Sequence, residues 1–131
     1  MTHAQELGKL AEDIAAEYIL SLGWKILARN VRIQHGELDI IAIDTSEKTQ
    51  ELVIVEVRCR TIGKVQSPLD SIGSRKMNAL IKSSREFVDE LEWQDFWRID
   101  IIGITMNDPK NKISYDIQHI RDITAGMNVL S

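Results

Sequence analysis

Two acidic residues lie inside apolar, β-branched stretches: Asp39 in Gly36-Glu37-Leu38-Asp39-Ile40-Ile41-Ala42-Ile43, and Glu56 in Leu52-Val53-Ile54-Val55-Glu56-Val57-Arg58-Cys59-Arg60. Both stretches are bounded by polar turn residues and read as adjacent strands. Side chains alternate along a strand, so Glu56, Arg58 and Arg60 share one face while Val53, Val55 and Val57 share the other. A hairpin turning between Thr45 and Gln50 brings Asp39 close to Glu56. Two carboxylates in an apolar setting repel each other, and each is costly to bury ionised unless positive charge stands between them. A divalent cation is the natural candidate. Oxygen-only ligands suit Mg²⁺ or Mn²⁺, and a chain with one Cys and three His offers little for zinc.

The surrounding charge fits a phosphodiester ligand. From Arg58 to Arg85 there are seven basic residues (Arg58, Arg60, Lys64, Arg75, Lys76, Lys82, Arg85) and one acid, Asp70, in a chain whose net charge is −4. A cationic segment beside a carboxylate pair is what a phosphate backbone requires. A solvated helix and loop face reads the same way on composition alone.

The elements that must position these residues follow from periodicity. Leu7, Leu10, Ala11, Ile14, Ala15, Tyr18, Ile19 and Leu22 keep helical spacing up to a terminating Gly23. Glu12 falls on the border of that apolar face, where it can turn toward the sheet or toward solvent. Trp24 to Ile33 reads as a strand interrupted near Arg29-Asn30, and Gln34-His35-Gly36 as the turn before the Asp39 strand. His35 in that turn reads as a surface residue. Thr61 to Gly73 is a basic loop able to close over a ligand. A second helix starts at Ser74, an N-cap candidate, with Met77, Leu80, Ile81, Phe87, Val88 and Leu91 inward and Lys76 flanking that stripe. Trp97 to Ile104, with Arg98 and Asp100 on one face, and Ile113 to Ile120 complete the set. Trp93, Phe96 and Trp97 read mostly as core rather than as a stacking platform. Cys59, between two arginines, is open to a lowered pKa, although a structural thiol is the plainer reading.

The order is α-β-β-β-α-β-β, an α/β fold with a mixed sheet flanked by helices. Its 131 residues suit one domain spanning the chain, with a ragged tail from about residue 124. No apolar run reaches membrane-spanning length, and the N-terminus does not read as a signal peptide. A single cysteine fits a reducing cytoplasm.

The blocks Gly8-Lys9-Leu10-Ala11-Glu12-Asp13-Ile14-Ala15, Gly23 to Asn30, Gly36-Glu37-Leu38-Asp39, Val55-Glu56-Val57-Arg58 and Arg98-Ile99-Asp100 together resemble the YraN-like proteins, uncharacterised protein family 0102. That family in turn resembles the PD-(D/E)xK nucleases, with archaeal-type Holliday junction resolvases as nearest functional relatives. The resemblance implies a restriction-endonuclease-like core and hydrolysis of DNA, including branched DNA, by a homodimer. Carried over by residue, it implies Asp39 and Glu56 as Mg²⁺ or Mn²⁺ ligands, Glu12 completing the metal shell, and Glu37 in reserve. Arg58 departs from the pattern, standing where the motif has lysine. It keeps the charge but cannot act as a general base. Several outcomes stay open: Arg58 stabilises phosphate charge while the metal alone generates hydroxide, or another lysine reaches in, Lys76 first, or catalysis is lost and the groove only binds nucleic acid through Arg60, Lys64, Arg75 and Lys82, or Arg58 simply ion-pairs with Glu56 or Asp39. A protein-interaction domain is a third function class, suited to the acidic remainder of the surface.

Overall fold

A computed structural model describes residues 1–61, 67–108 and 111–124. The elements run α1 (His3–Ser21), β1 (Lys25–Ile33), β2 (Gly36–Asp44), β3 (Glu51–Thr61), α2 (Ser74–Leu91), β4 (Trp97–Asp108) and β5 (Asn111–Ile120), in the expected order. The five strands form one sheet in sequence order. β1/β2, β2/β3 and β4/β5 pair antiparallel, while β3/β4 pair parallel. A parallel pair needs a crossover, and α2 supplies it.

Each face of the sheet carries one helix. Ala11, Ile14, Ala15 and Ile19 of α1 pack on Ile40, Ala42, Val53, Val55, Ile102 and Ile104. On the other face Leu80, Ile81 and Val88 of α2 pack on Ile41, Ile43, Leu52, Ile54 and Ile99. The first half of the central strand β3, Leu52 to Val55, is therefore apolar on both faces, as a segment covered on both sides must be.

Helix termini explain the local boundaries. Thr2 caps α1 in a reciprocal capping box with Gln5, and Gly23, at φ 85°, turns the chain out of the helix after Leu22. The second helix differs from expectation. Gly73, not Ser74, is its N-cap, and it has no side-chain cap because Ser74 already lies in the first turn. Leu91, expected inward, is 42% exposed, because it ends the helix beyond the sheet contact. Trp93 and Trp97 pack against the α2 core as expected, whereas Phe96 is exposed. The break expected near Arg29-Asn30 is not found: Asn30 has a left-handed φ of 53°, but Arg29 and Val31 keep one register with β2, and the shift in pairing lies earlier, between Ile26 and Ala28. Lys64 and the tail beyond residue 124 lie outside the described residues.

Candidate active-site cleft

The β2/β3 ladder runs from Asp44–Glu51 to Ile40–Val55 and ends there. Continued by one step it would pair Asp39 with Glu56. Instead the Asp39 side chain takes the place of a backbone acceptor: Val57 N–H donates to its Oδ2 at 2.8 Å. The strand's period of two slips at the same point, since Leu38 packs in the α2-side cluster with Ile41 rather than in the α1-side cluster with Ile40. β2 thus leaves β3 where the two acids sit, and a cleft opens between them and α2. Its volume is about 280 Å³, and its lining includes Asp39, Glu56, Glu37 and Lys76.

Electrostatics in this cleft are unbalanced. Burial, then the charge of Glu56, pushes the Asp39 carboxyl up to about 7, against the Val57 hydrogen bond and Lys76. Burial also pushes Glu56 up, opposed first by Lys76 and then by Arg58, with Glu37 adding repulsion. The lysine Nζ stands 3.5 Å from Glu56 Oε1 while its side chain stays half exposed. One lysine thus faces three carboxylates in the lining. The donor set is oxygen-only and deficient in positive charge, which suits a hard divalent cation.

The other residues singled out from the sequence are placed as follows. Glu12 lies on α1 and accepts from Arg29 at 3.2 and 3.3 Å; its charge still helps to raise Asp39. Among the described residues, Glu12, Asp39 and Glu56 do not form a ready-made trio of ligands. Arg58 makes no ion pair with Glu56 or Asp39 among the described residues. Its guanidinium reaches Ser71, with Nε 3.1 Å from the hydroxyl and an Nη 3.3 Å from the carbonyl. Ser71 in turn donates to the Pro68 carbonyl, and Pro68 sits on the bare Cα of Gly103, where a Cβ would approach within 2.2 Å. The arginine therefore clasps the loop against β4. Arg60 is half-buried, with one guanidinium nitrogen enclosed and without a partner among the described residues. Arg75 and Lys82 line an adjoining hollow with His35, Ser74, Asn78 and Ala79. Burial pushes the Cys59 thiol up, so the neighbouring arginines do not activate it.

Sequence reasoning passed over Gly36, Ala79, Leu80 and Ser83, which line the cleft as well. The signal was present in α2: positions 76, 79, 80 and 83 recur at helical spacing and so face one way. His35, read from its turn as a surface residue, also lines the cleft rim.

A second polar group lies on the opposite, α1-side face of the sheet, where Arg98 and Asp100 of β4 stand level with Val53 and Val55. The Arg98 guanidinium donates to Asp100 at 2.9 Å, to Asp44 at 2.9 Å and to Glu51. Asp100, fully buried, also takes the Asp122 N–H and contacts Nε2 of His119 at 2.8 Å; Nδ1 of that ring lies 2.9 Å from the Tyr18 hydroxyl. Trp24 stacks beneath Arg98 at 5.2 Å. Here hydrogen bonds from His119 and Arg98 hold the Asp100 carboxyl low despite its burial, and Ser46 and Arg98 do the same for Asp44.

Comparison with known proteins agrees with this chain-wide pattern. A protein from Flavobacterium johnsoniae is 37% identical over 127 residues, covering 93% of this chain and 96% of its own. Relatives from Chlorobium chlorochromatii and Mycobacterium bovis are 34% and 32% identical, covering 89% and 94% of this chain and the same shares of their own. All three carry the description UPF0102 protein. Among solved structures, Pyrococcus furiosus SfsA in complex with Ca²⁺ aligns with a TM-score of 0.30 and 15% identity, over 91% of this chain and 62% of that one, too distant a likeness to bear on chemistry. No helix among the described residues is long and apolar enough to cross a membrane. The family model for UPF0102 matches residues 11–104, the span holding the second half of α1, all of α2 and the cleft, so the chain belongs to uncharacterised protein family UPF0102.

Proposed function

We propose that this protein is a metal-dependent endonuclease-like hydrolase of DNA phosphodiester bonds. One observation carries the reading: Asp39 and Glu56 converge in a single cleft where β2 parts from β3, with their charge incompletely matched by Lys76. Asp39 and Glu56 would hold Mg²⁺ or Mn²⁺, with Glu12 and Glu37 nearby as further carboxylates. The bound ion would supply Lewis-acid polarisation of the phosphate and a more acidic attacking water.

The chain's own residues have distinct tasks. Lys76 places a compact positive charge beside Glu56 and can donate to a non-bridging phosphate oxygen, taking the place of the motif lysine. Arg58 holds the loop through Ser71 and keeps its charge near Glu56. Arg75 and Lys82 meet the phosphates that flank the reacting one. Hydrolysis joins a water oxygen to phosphorus and releases one ester oxygen, which leaves with a proton. Pairing into a homodimer belongs to this reading through the resemblance to junction resolvases.

The test is nicking of supercoiled DNA with Mg²⁺ or Mn²⁺. Asp39→Asn and Glu56→Gln each abolish nicking; activity that survives both would remove the mechanism. A second reading, a nucleic-acid-binding module without catalysis, draws on the engagement of Arg58 with Ser71. It expects salt-sensitive binding and no cleavage by the native protein in either metal.

A further inference from the structure

The cleft is longer than a phosphate and an ion require. Lys76 and Ser83 both line it, and they lie seven residues apart on α2, about 10 Å along the helix axis. The Lys76 end holds Glu56, while the Ser83 end holds Gly36, whose open Cα faces the serine. A Cβ placed on Gly36 would come within 3.8 Å of Ser83 Oγ. The walls between are Ala79 and Leu80, with the His35 imidazole at the rim. Ser83 is 2% exposed, and its hydroxyl has no hydrogen-bond partner among the described residues. A buried polar group left unmatched is destabilising, and a ligand atom bonded there would recover that cost.

Resting on the hydrolase reading, we infer that this end of the cleft seats one unpaired nucleobase next to the phosphate to be cut. The substrate is then DNA that is unpaired at that position: a bulge, a flap or a branch point. The dimensions agree, because one nucleotide reaches from phosphorus to base edge over about the Lys76–Ser83 separation, and about 280 Å³ gives room for one base. Surfaces agree too. Ala79, Leu80 and an imidazole offer a base flat contact, and stacking of that kind tolerates any sequence. A serine hydroxyl both donates and accepts, so it can meet the edge of any base. A paired base has its edge occupied and must be unstacked first, at a cost that is smallest where pairing is already broken.

The experiment compares binding, by fluorescence anisotropy in Ca²⁺, of a duplex with one bulged nucleotide and the same duplex with an abasic bulge. Backbone shape and charge are shared, so only the base differs. The base is expected to tighten binding about tenfold, within the range of about 1–3 kcal/mol for a stacked base. Ala79→Leu, which fills the wall at a half-buried position, abolishes that difference, and so does Ser83→Val if it folds. In the native protein, 2-aminopurine at the bulge changes its emission on binding. Equal affinity for base and abasic bulges overturns the inference, even if Mn²⁺ supports nicking. Discrimination of the base with no cleavage in Mn²⁺ or Mg²⁺ supports the seat while removing the hydrolase reading. Absence of binding to either duplex overturns both.

Discussion

The two faces of the sheet each carry buried acid, and they solve the same electrostatic problem in opposite ways. At the α1-side face Asp44, Glu51 and Asp100 surround a single guanidinium that satisfies all three, with His119 and a backbone N–H completing Asp100. At the other, Asp39 and Glu56 share one lysine that remains half exposed, and burial outweighs its help. The direction of the pKa shifts follows: down for Asp44 and Asp100, up for Asp39 and Glu56. A finished network of this kind holds the fold. An unfinished one destabilises it, and such sites are where ligands and chemistry are found.

The sharpest way to break this contrast is to remove the guanidinium. Arg98→Met should cost about 3–5 kcal/mol by urea denaturation, because it strands several carboxylates beside the core. A loss below about 1 kcal/mol would mean that the network contributes little and that the two faces are alike.

Asp39→Asn should act in the other direction. The folded pKa of Asp39, about 7, lies above its unfolded value of 3.8, so the folded state holds this proton more tightly. Stability then falls as pH rises between those values, and the full penalty is present above about pH 7. The amide keeps the Val57 hydrogen bond and carries no charge. A gain on the order of 2–4 kcal/mol is expected at pH 8, fading toward pH 4, by urea titration across that range. For the network the sign is reversed. The stabilisation from Asp100 and Asp44 is present above their unfolded values and is lost as pH falls through the lower folded ones. In the same measurement at pH 8, Mn²⁺ should raise the urea midpoint of the native protein but not of Asp39→Asn, since a ligand that binds only the folded site stabilises by mass action.

The smallest effect expected is that of Tyr18→Phe. It removes the hydroxyl beside His119 Nδ1 and should cost about 1 kcal/mol by urea denaturation, leaving the response to Mn²⁺ unchanged. A change in that response would show the two faces to be coupled across the sheet.

Much of this architecture could be read from local pattern. Both helices and the five strands are written in hydrophobic period and in glycine placement, and each depends on neighbours in sequence. The shared face of Arg98 and Asp100 was equally visible, because they stand two apart on one strand. Their partners were not. Asp44, Glu51, His119 and Tyr18 come from four other elements, and no spacing in the chain announces them.

The cleft divides along the same line. The sequence determined that Asp39 and Glu56 would be acids in apolar strands, because burial and alternation are short-range properties. Tertiary structure alone decided that the ladder stops one residue short of them, that Arg58 turns to Ser71, and that Lys76 from the crossover helix faces Glu56. Those outcomes depend on how α2 and the 67–73 loop pack against the sheet, where side chains far apart in the chain compete for the same carboxylate. Competition of that kind is settled by distance and burial in three dimensions, which residue order does not encode one position at a time.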